Sequence, residues 1–358
     1  MIFHRSLLRE FANIAVAVFL TLFLIALTTR LIRLLGQAAS GKIPSDAVIA
    51  FLGFFALNVL PVLLSLTLFI TVLLTLTRMW RDSEMVIWFN SGLSLVAWTR
   101  PVLMFAAPLV FVIALLSFFI SPWAARMSEQ YRSYVDARDD VSRVDPGAFG
   151  ESRSRDRVFF VESIAGDKSS VQNVFVNSVQ HQRTGVMVSA RGVTETAPNG
   201  DSFLLLLAGR RYEGTPGEAG FRLMEFERYA TRIETREGDE PQATHKSLST
   251  PALLESPTHP NLGELLWRIG IPVSALLLAM LAIPMSYVNP RAGRSVNLLF
   301  ALLVFVTYSN LLSVSQARVA QGKLEFATGS WLLHAVMLAV LLAMFASRTS
   351  LFRLRLRR

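Results

Sequence analysis

Two arginines three residues apart, Arg30 and Arg33, and a short stretch from Ser83 to Ser91 hold most of the chemistry this chain offers. On a helix, positions i and i+3 are neighbours on one side, so Arg30 and Arg33 would present two planar guanidinium forks together. That geometry suits phosphate groups, while the same pair at the end of an apolar helix also reads as two snorkelling anchors. In the second stretch Asp82 or Ser83 can cap a short helix, Glu84 favours its first turn and Gly92 can end it. Met85, Trp88 and Phe89 fall at i, i+3 and i+4, which places large apolar groups on one face. Such a helix either lies at a membrane interface on its aromatics or plugs into a separate motor, with Glu84 as a charged contact.

Other chemistry is missing. There is no cysteine, which excludes disulfides, thiol catalysis and cysteine metal sites. The five histidines (4, 181, 245, 259 and 334) never reach metal-ligand spacing. Gly166-Asp167-Lys168-Ser169 lacks the glycines of a phosphate-binding loop, and Gly92-Leu93-Ser94-Leu95-Val96 lacks the last glycine of a nucleophile elbow. An enzyme reading has no residues to rest on, and no cofactor or metal is expected.

The elements that must position Arg30, Arg33 and the 83–91 stretch are six runs without Asp, Glu, Lys or Arg: 11–29, 47–77, 101–125, 269–290, 295–317 and 326–347. About 20 apolar residues cross ~30 Å of hydrocarbon as a helix, and backbone groups in lipid must be satisfied internally. Six membrane-spanning helices are therefore predicted, three on each side of a polar middle. Residues 1–125 would hold helices one to three with the short helix at about 83–91. Residues 126–262 would form an extramembrane domain with its linkers, and 263–358 would hold helices four to six and a basic tail. A composition 52% hydrophobic and 17% charged fits this class. Residues near the middles of the runs are uncharged, so His334 is the one candidate for an ion-coupled step; otherwise it hydrogen-bonds a neighbouring helix. Asn58, Asn297 and Asn310 read as residues that join helices. Pro61, Pro108, Pro272 and Pro284 are possible kink points.

The net charge of +9 does not mark a nucleic-acid binder. Residues 126–262 carry a net −3 and the remainder a net +12, so the positive charge sits in short loops and tails beside the helices, against anionic headgroups. Twelve arginines flank the runs on the side of the termini, against five Lys and Arg in the opposite short loops. The positive-inside rule then puts both termini in the cytoplasm and 126–262 outside. The first run is longer than a signal-peptide core, so it is expected to be retained.

In the exported domain, short runs rich in Val and Phe recur at Val158–Ile164, Val171–Val179, Val186–Thr194, Ser202–Ala208 and Phe221–Ile233. Turn-forming stretches at Ala165–Ser170, Ala197–Asp201 and Gly214–Gly220 separate them. This spacing predicts an all-β sandwich or jelly-roll-like domain. Alternation slips between Leu223 and Met224, as a β-bulge would produce. Segments 137–157 and 236–262 read as linkers.

Several local motifs appear in one order along the chain. They are Arg30-Leu31-Ile32-Arg33-Leu34-Leu35-Gly36, Ser83-Glu84-Met85 with Gly92-Leu93-Ser94, and Phe159-Phe160-Val161-Glu162-Ser163. Tyr212-Glu213-Gly214-Thr215, Trp267-Arg268-Ile269 and Val288-Asn289-Pro290-Arg291-Ala292-Gly293-Arg294 follow. In this order, with three helices on either side of a β domain, the chain resembles the permease family of the lipopolysaccharide export (Lpt) transporter. The Asn-Pro-Arg-x-Gly-Arg and Tyr-Glu-Gly-Thr motifs bring it nearest the F-type branch, with the G-type branch as the alternative.

The resemblance implies a non-catalytic subunit of the Gram-negative inner membrane, paired with a G-type permease and driven by a cytoplasmic ATPase dimer. Its implied cargo is lipopolysaccharide, handed to periplasmic jelly-roll carriers and their membrane anchor. It also implies that Arg30 and Arg33 meet lipid phosphates and that Glu84, with Met85, Trp88 and Phe89 on the same short helix, couples to the ATPase. Helices one and five would line lateral gates. Acyl chains lose about 0.8 kcal/mol per CH₂ on leaving an apolar medium, so extraction needs an apolar path and outside energy. A reading from another class is a membrane sensor or scaffold whose exported domain binds a ligand.

Overall fold

A computed structural model of the chain describes residues 2–40, 43–137, 147, 149–151, 157–164, 170–180, 183–196, 202–215, 220, 222–232, 244–287 and 294–355. It divides into two compact units, Met1–Gln130 with Ala243–Arg358, and Tyr131–Gln242.

Each uncharged run is helical over all or most of its described residues. The first unit contains α1 (Ile2–Ala39), α2 (Ala47–Arg81), α3 (Glu84–Asn90) and α4 (Thr99–Leu115). A π turn at Leu116–Ile120 leads directly into α5 (Ser121–Ala137), so the third rod outlasts its uncharged run by a dozen residues. Then come α6 (Thr250–Glu255), α7 (His259–Met285), α8 (Arg294–Ala320) and α9 (Phe326–Arg355). Short elements thus occupy part of the expected linkers, including α6 and a strand at Phe149–Glu151. Six stretches are long and apolar enough to cross a membrane. The four prolines lie inside α2, α4 and α7.

Burial separates these helices by role. The most apolar windows of α2 and α7 are 72% and 67% buried, against 6% to 22% in the other four spans, so α2 and α7 form the axis. Their buried positions include Thr67, Thr71 and Thr75 on α2 and Ala275, Ala279 and Ala282 on α7. Side chains this small let helices approach closely where lipid tails give no hydrophobic drive for association. Gly263 of α7 lies equally close to α8: a Cβ there would stand 2.8 Å from Ala320 Cβ. In contrast α1 exposes Val16, Leu20, Leu24 and Ile25, and α8 exposes Leu299, Leu303 and Leu311. Those faces are left for lipid or for another protein.

The second unit is one antiparallel sheet of β1 (Phe149–Glu151), β2 (Arg157–Ile164), β3 (Ser170–Gln180), β4 (Arg183–Thr196), β5 (Ser202–Gly214) and β6 (Arg222–Arg232). Each strand pairs with the next in sequence. The expected turn stretches lie largely outside the described residues. One row is skipped across the sheet: Glu162, Asn173, Ala190, Ala208 and Glu227 all fall out of register pairing. Asn173 and Ala208 there have φ of 49° and 51°. The register is the same on both sides of this row, so no strand carries an extra residue; the unpaired row creases the sheet and reverses which side chains point inward. Buried positions accordingly change phase, from Val171 to Val174 and Val176 on β3, and from Met187 and Ser189 to Gly192 on β4. The bulge expected between Leu223 and Met224 is absent: both stay paired, with Tyr212 and Arg211, and the unpaired position of β6 is Glu227, opposite Ala208 in unchanged register.

Candidate functional site

The loop from α2 to α4 has a built geometry. The helix α3 spans Glu84–Asn90, one residue shorter at each end than predicted. Ser83 stands at its N-cap with φ 62° and makes no side-chain capping bond, which corrects the expected Ser cap; the Ser83 carbonyl instead accepts from Val86 N at 3.1 Å. The other end closes as anticipated. Gly92 has φ 89°, its N–H reaches Phe89 O at 3.0 Å, and Leu93 N–H reaches Trp88 O at 3.2 Å. This paired closure needs a left-handed residue, which glycine adopts without a Cβ clash.

The faces of α3 divide sharply. Met85 is fully buried, and Trp88 and Phe89 pack partly buried against the same cluster, which also holds Trp80, Leu95 and Trp98. Phe89 lies 5.4 Å from Trp80 between ring centroids. The three apolar residues singled out from sequence therefore hold α3 to its own bundle. The surface α3 offers outward comes from Val86 and Ile87, 46% and 67% exposed, with Leu93 and Val96 beside them and half-exposed Glu84. Val86 and Ile87 were missed because an i, i+3, i+4 pattern identifies one apolar face and cannot say that a second one exists.

Arg78 organises the charges around this loop. Its Nε stands 2.6 Å from Glu10 Oε1 and its Nη2 donates to Glu10 Oε2 at 2.9 Å, linking α2 to the start of α1. Its Nη1 lies 3.4 Å from Glu84 and 3.6 Å from Asp82. Nearby, Asn297 Nδ2 donates to Thr77 Oγ1 at 3.1 Å, tying α8 to α2 as a helix-joining asparagine should. Asn58 and Asn310 are exposed on this chain.

At the far end of α1, Arg30 and Arg33 occupy different surroundings. Arg30 is half-buried, with its guanidinium 5.2 Å from the Phe55 ring of α2, and its Nε is buried without an acceptor. Arg33 is exposed. An unpaired buried donor costs about 1–3 kcal/mol until an acceptor reaches it. His334 of α9 meets Tyr308 OH of α8 at 2.5 Å, the helix-joining bond that was one of its two readings.

A larger buried polar cluster went unnoticed in the sequence. Arg268 of α7 is 1% exposed and donates to Glu264 Oε1 at 3.0 Å, Thr250 Oγ1 at 3.0 Å, Leu248 O at 2.9 Å and Lys246 O at 3.1 Å. The available signal was the i, i+4 spacing of Glu264 and Arg268 at the edge of an apolar run. Removing one partner from such a buried pair costs about 3–5 kcal/mol, whereas well-packed apolar replacements of both can be neutral.

The model of the lipopolysaccharide export system permease LptF/LptG family matches residues 5–347. The chain belongs to that family. Among its relatives, the lipopolysaccharide export system permease protein LptF of Escherichia coli K12 is 27% identical over 95% of this chain and 93% of its own. LptF of Shigella flexneri matches over the same spans at the same identity. A LptF/LptG permease with six helices of spanning length is a multi-pass membrane protein, and in this one polar chemistry meets exposed apolar surface at the α2–α4 loop and at the C-terminal end of α1. The motif Val288–Arg294 that favoured the F-type branch lies, up to residue 293, outside the described residues.

Proposed function

We propose that this chain is the F-type permease subunit of an ATP-driven exporter that extracts lipopolysaccharide from the inner membrane and passes it to periplasmic carriers. The observation that carries the reading is the family match over nearly the whole chain, joined to relatives that are named LptF. In this reading the termini and α3 face the cytoplasm and the creased sheet is periplasmic, supported by the arginine excess beside the termini. In this reading the consecutive sheet, open at its described edge strands β1 and β6, is the unit that continues into the jelly rolls of the carriers and their membrane anchor.

A cytoplasmic ATPase dimer docks on the outward surface of α3. Glu84 supplies the charged contact, Val86 and Ile87 the apolar one, and Met85, Trp88 and Phe89 hand its motion to the bundle through the cluster they share with α2 and α4. The exposed faces of α1 and α8 meet a G-type permease and membrane lipid. Arg30 and Arg33 hold lipid phosphates, with the unpaired Nε of Arg30 as a waiting donor.

Co-expression with the companion permease and the ATPase tests this. The ATPase should co-purify with the wild-type chain and be lost with Glu84→Arg. A purified three-component complex that hydrolyses no nucleotide and carries no lipopolysaccharide would overturn the reading in favour of a scaffold.

A further inference from the structure

The Arg268–Glu264 pair and its neighbours join four parts of the first unit. On α7 the guanidinium meets Glu264, whose other oxygen lies 3.5 Å from Gln316 Nε2 of α8. Its remaining donors go to Lys246 O, Leu248 O and Thr250 Oγ1, in the segment by which the chain returns from the strand unit. Thr250 Oγ1 in turn donates to Phe118 O at 2.7 Å, and Ser117 Oγ donates to the Arg268 carbonyl at 3.1 Å. Both Ser117 and Phe118 lie in the π turn between α4 and α5. The other strand of the connection, α5, is bound to the same segment by Arg126 Nε on Ser247 O at 3.2 Å.

We propose that Arg268 is a positioning residue of the transport cycle, a clamp that delivers movements of α7 and α8 to the stem of the exported domain. The inference rests on the permease reading above and adds to it the route from membrane helices to stem. Two features separate it from mere packing. First, a buried ion pair is weak evidence for stability, since apolar pairs of like volume often serve as well. Second, two of its four bonds go to backbone carbonyls of the non-helical return segment and a third to Thr250 at the start of α6. Carbonyls at 246 and 248 have no helix to bond within, so a planar five-donor fork is what holds them. The π turn gives α4–α5 a point of altered register, a feature that recurs at functional sites, and the cluster grips it from both Ser117 and Thr250.

The test uses the full complex in proteoliposomes containing lipopolysaccharide, reading nucleotide hydrolysis and lipid delivered to an acceptor separately. Glu264→Gln with Arg268→Met should assemble and hydrolyse nucleotide near the wild-type rate while lipid delivered per nucleotide falls at least tenfold. Arg268→Lys, keeping the charge without the fork, should fall between them. Wild-type lipid delivered per nucleotide in the double variant would overturn the clamp. If that variant fails to assemble, Thr250→Val decides, because it cuts the links to Arg268 and Phe118 and leaves the ion pair whole. A several-fold lower ratio with unchanged melting supports the clamp, and an unchanged ratio overturns it. If the wild-type complex itself delivers no lipid, the permease reading fails; the clamp is then judged by hydrogen exchange of amides 244–250, which Thr250→Val should accelerate at least tenfold and which an unchanged rate would refute.

Discussion

Met85→Ala and Ile87→Ser should separate the two faces of α3. Met85 is 0% exposed inside the cluster with Trp80, Leu95 and Trp98, while Ile87 is 67% exposed. Truncating a buried Met to Ala costs about 2–5 kcal/mol, through lost transfer energy and the cavity left behind. A helix of seven residues has almost no stability of its own, so that loss falls on its attachment to the bundle. For a membrane unit of this size the melting temperature should drop on the order of 4–20 °C. Replacing exposed Ile87 changes stability by no more than about 0.5 kcal/mol. If Ile87 lies in the proposed ATPase contact, its loss removes about 1–2 kcal/mol of docking energy, a roughly five- to thirty-fold weaker hold on the ATPase. The assay is a pair of measurements on each purified variant: thermal unfolding of the permease dimer in detergent, and titration with ATPase. Equal destabilisation by both substitutions, or full ATPase affinity in Ile87→Ser, would refute the division of faces.

Three further outcomes follow from local geometry. Gly92→Ala, at φ 89° with no atom within 4 Å of a built Cβ, should cost about 1 kcal/mol from backbone strain alone and lower both melting and ATPase recovery. Arg33→Ala and Arg30→Ala should each weaken photocrosslinking to lipopolysaccharide, Arg33→Ala at unchanged stability and Arg30→Ala with little net change in thermal unfolding, because the lost contact over Phe55, about 0.5–2 kcal/mol, is offset by relief of its buried unpaired Nε. A double-mutant cycle between Glu10→Gln and Arg78→Gln should return only about 0.5–1 kcal/mol despite the 2.6 Å approach, because both side chains are partly solvated.

How much was legible depended on the range of the interaction. The six helices were readable because a bilayer demands a long uncharged run, and such runs stand out one residue at a time. Five strand cores were readable because turn chemistry and Val and Phe enrichment are local. The closure of α3 at Gly92 was readable for the same reason. Its start was not, since a Ser before a helix can cap it only if the backbone leaves the side chain aimed inward, and Ser83 is left-handed instead. The crease was sensed as a slip in alternation but misplaced, because its position is set by five strands in register and no single strand contains that information.

Sequence by itself determined the class of molecule: six spans, an intervening β unit, charge beside the termini, and the residue types at Arg30, Arg33 and Glu84. Tertiary structure alone decided which helices are central, that Met85, Trp88 and Phe89 look inward while Val86 and Ile87 look out, and that Arg78 meets Glu10 across 68 residues. It alone gathered Lys246, Leu248, Thr250 and Glu264 around Arg268. The physical reason is that hydropathy and propensity are sums over neighbours in the chain, whereas a buried charge is satisfied by whichever acceptors the packed helices bring within ~3 Å of it.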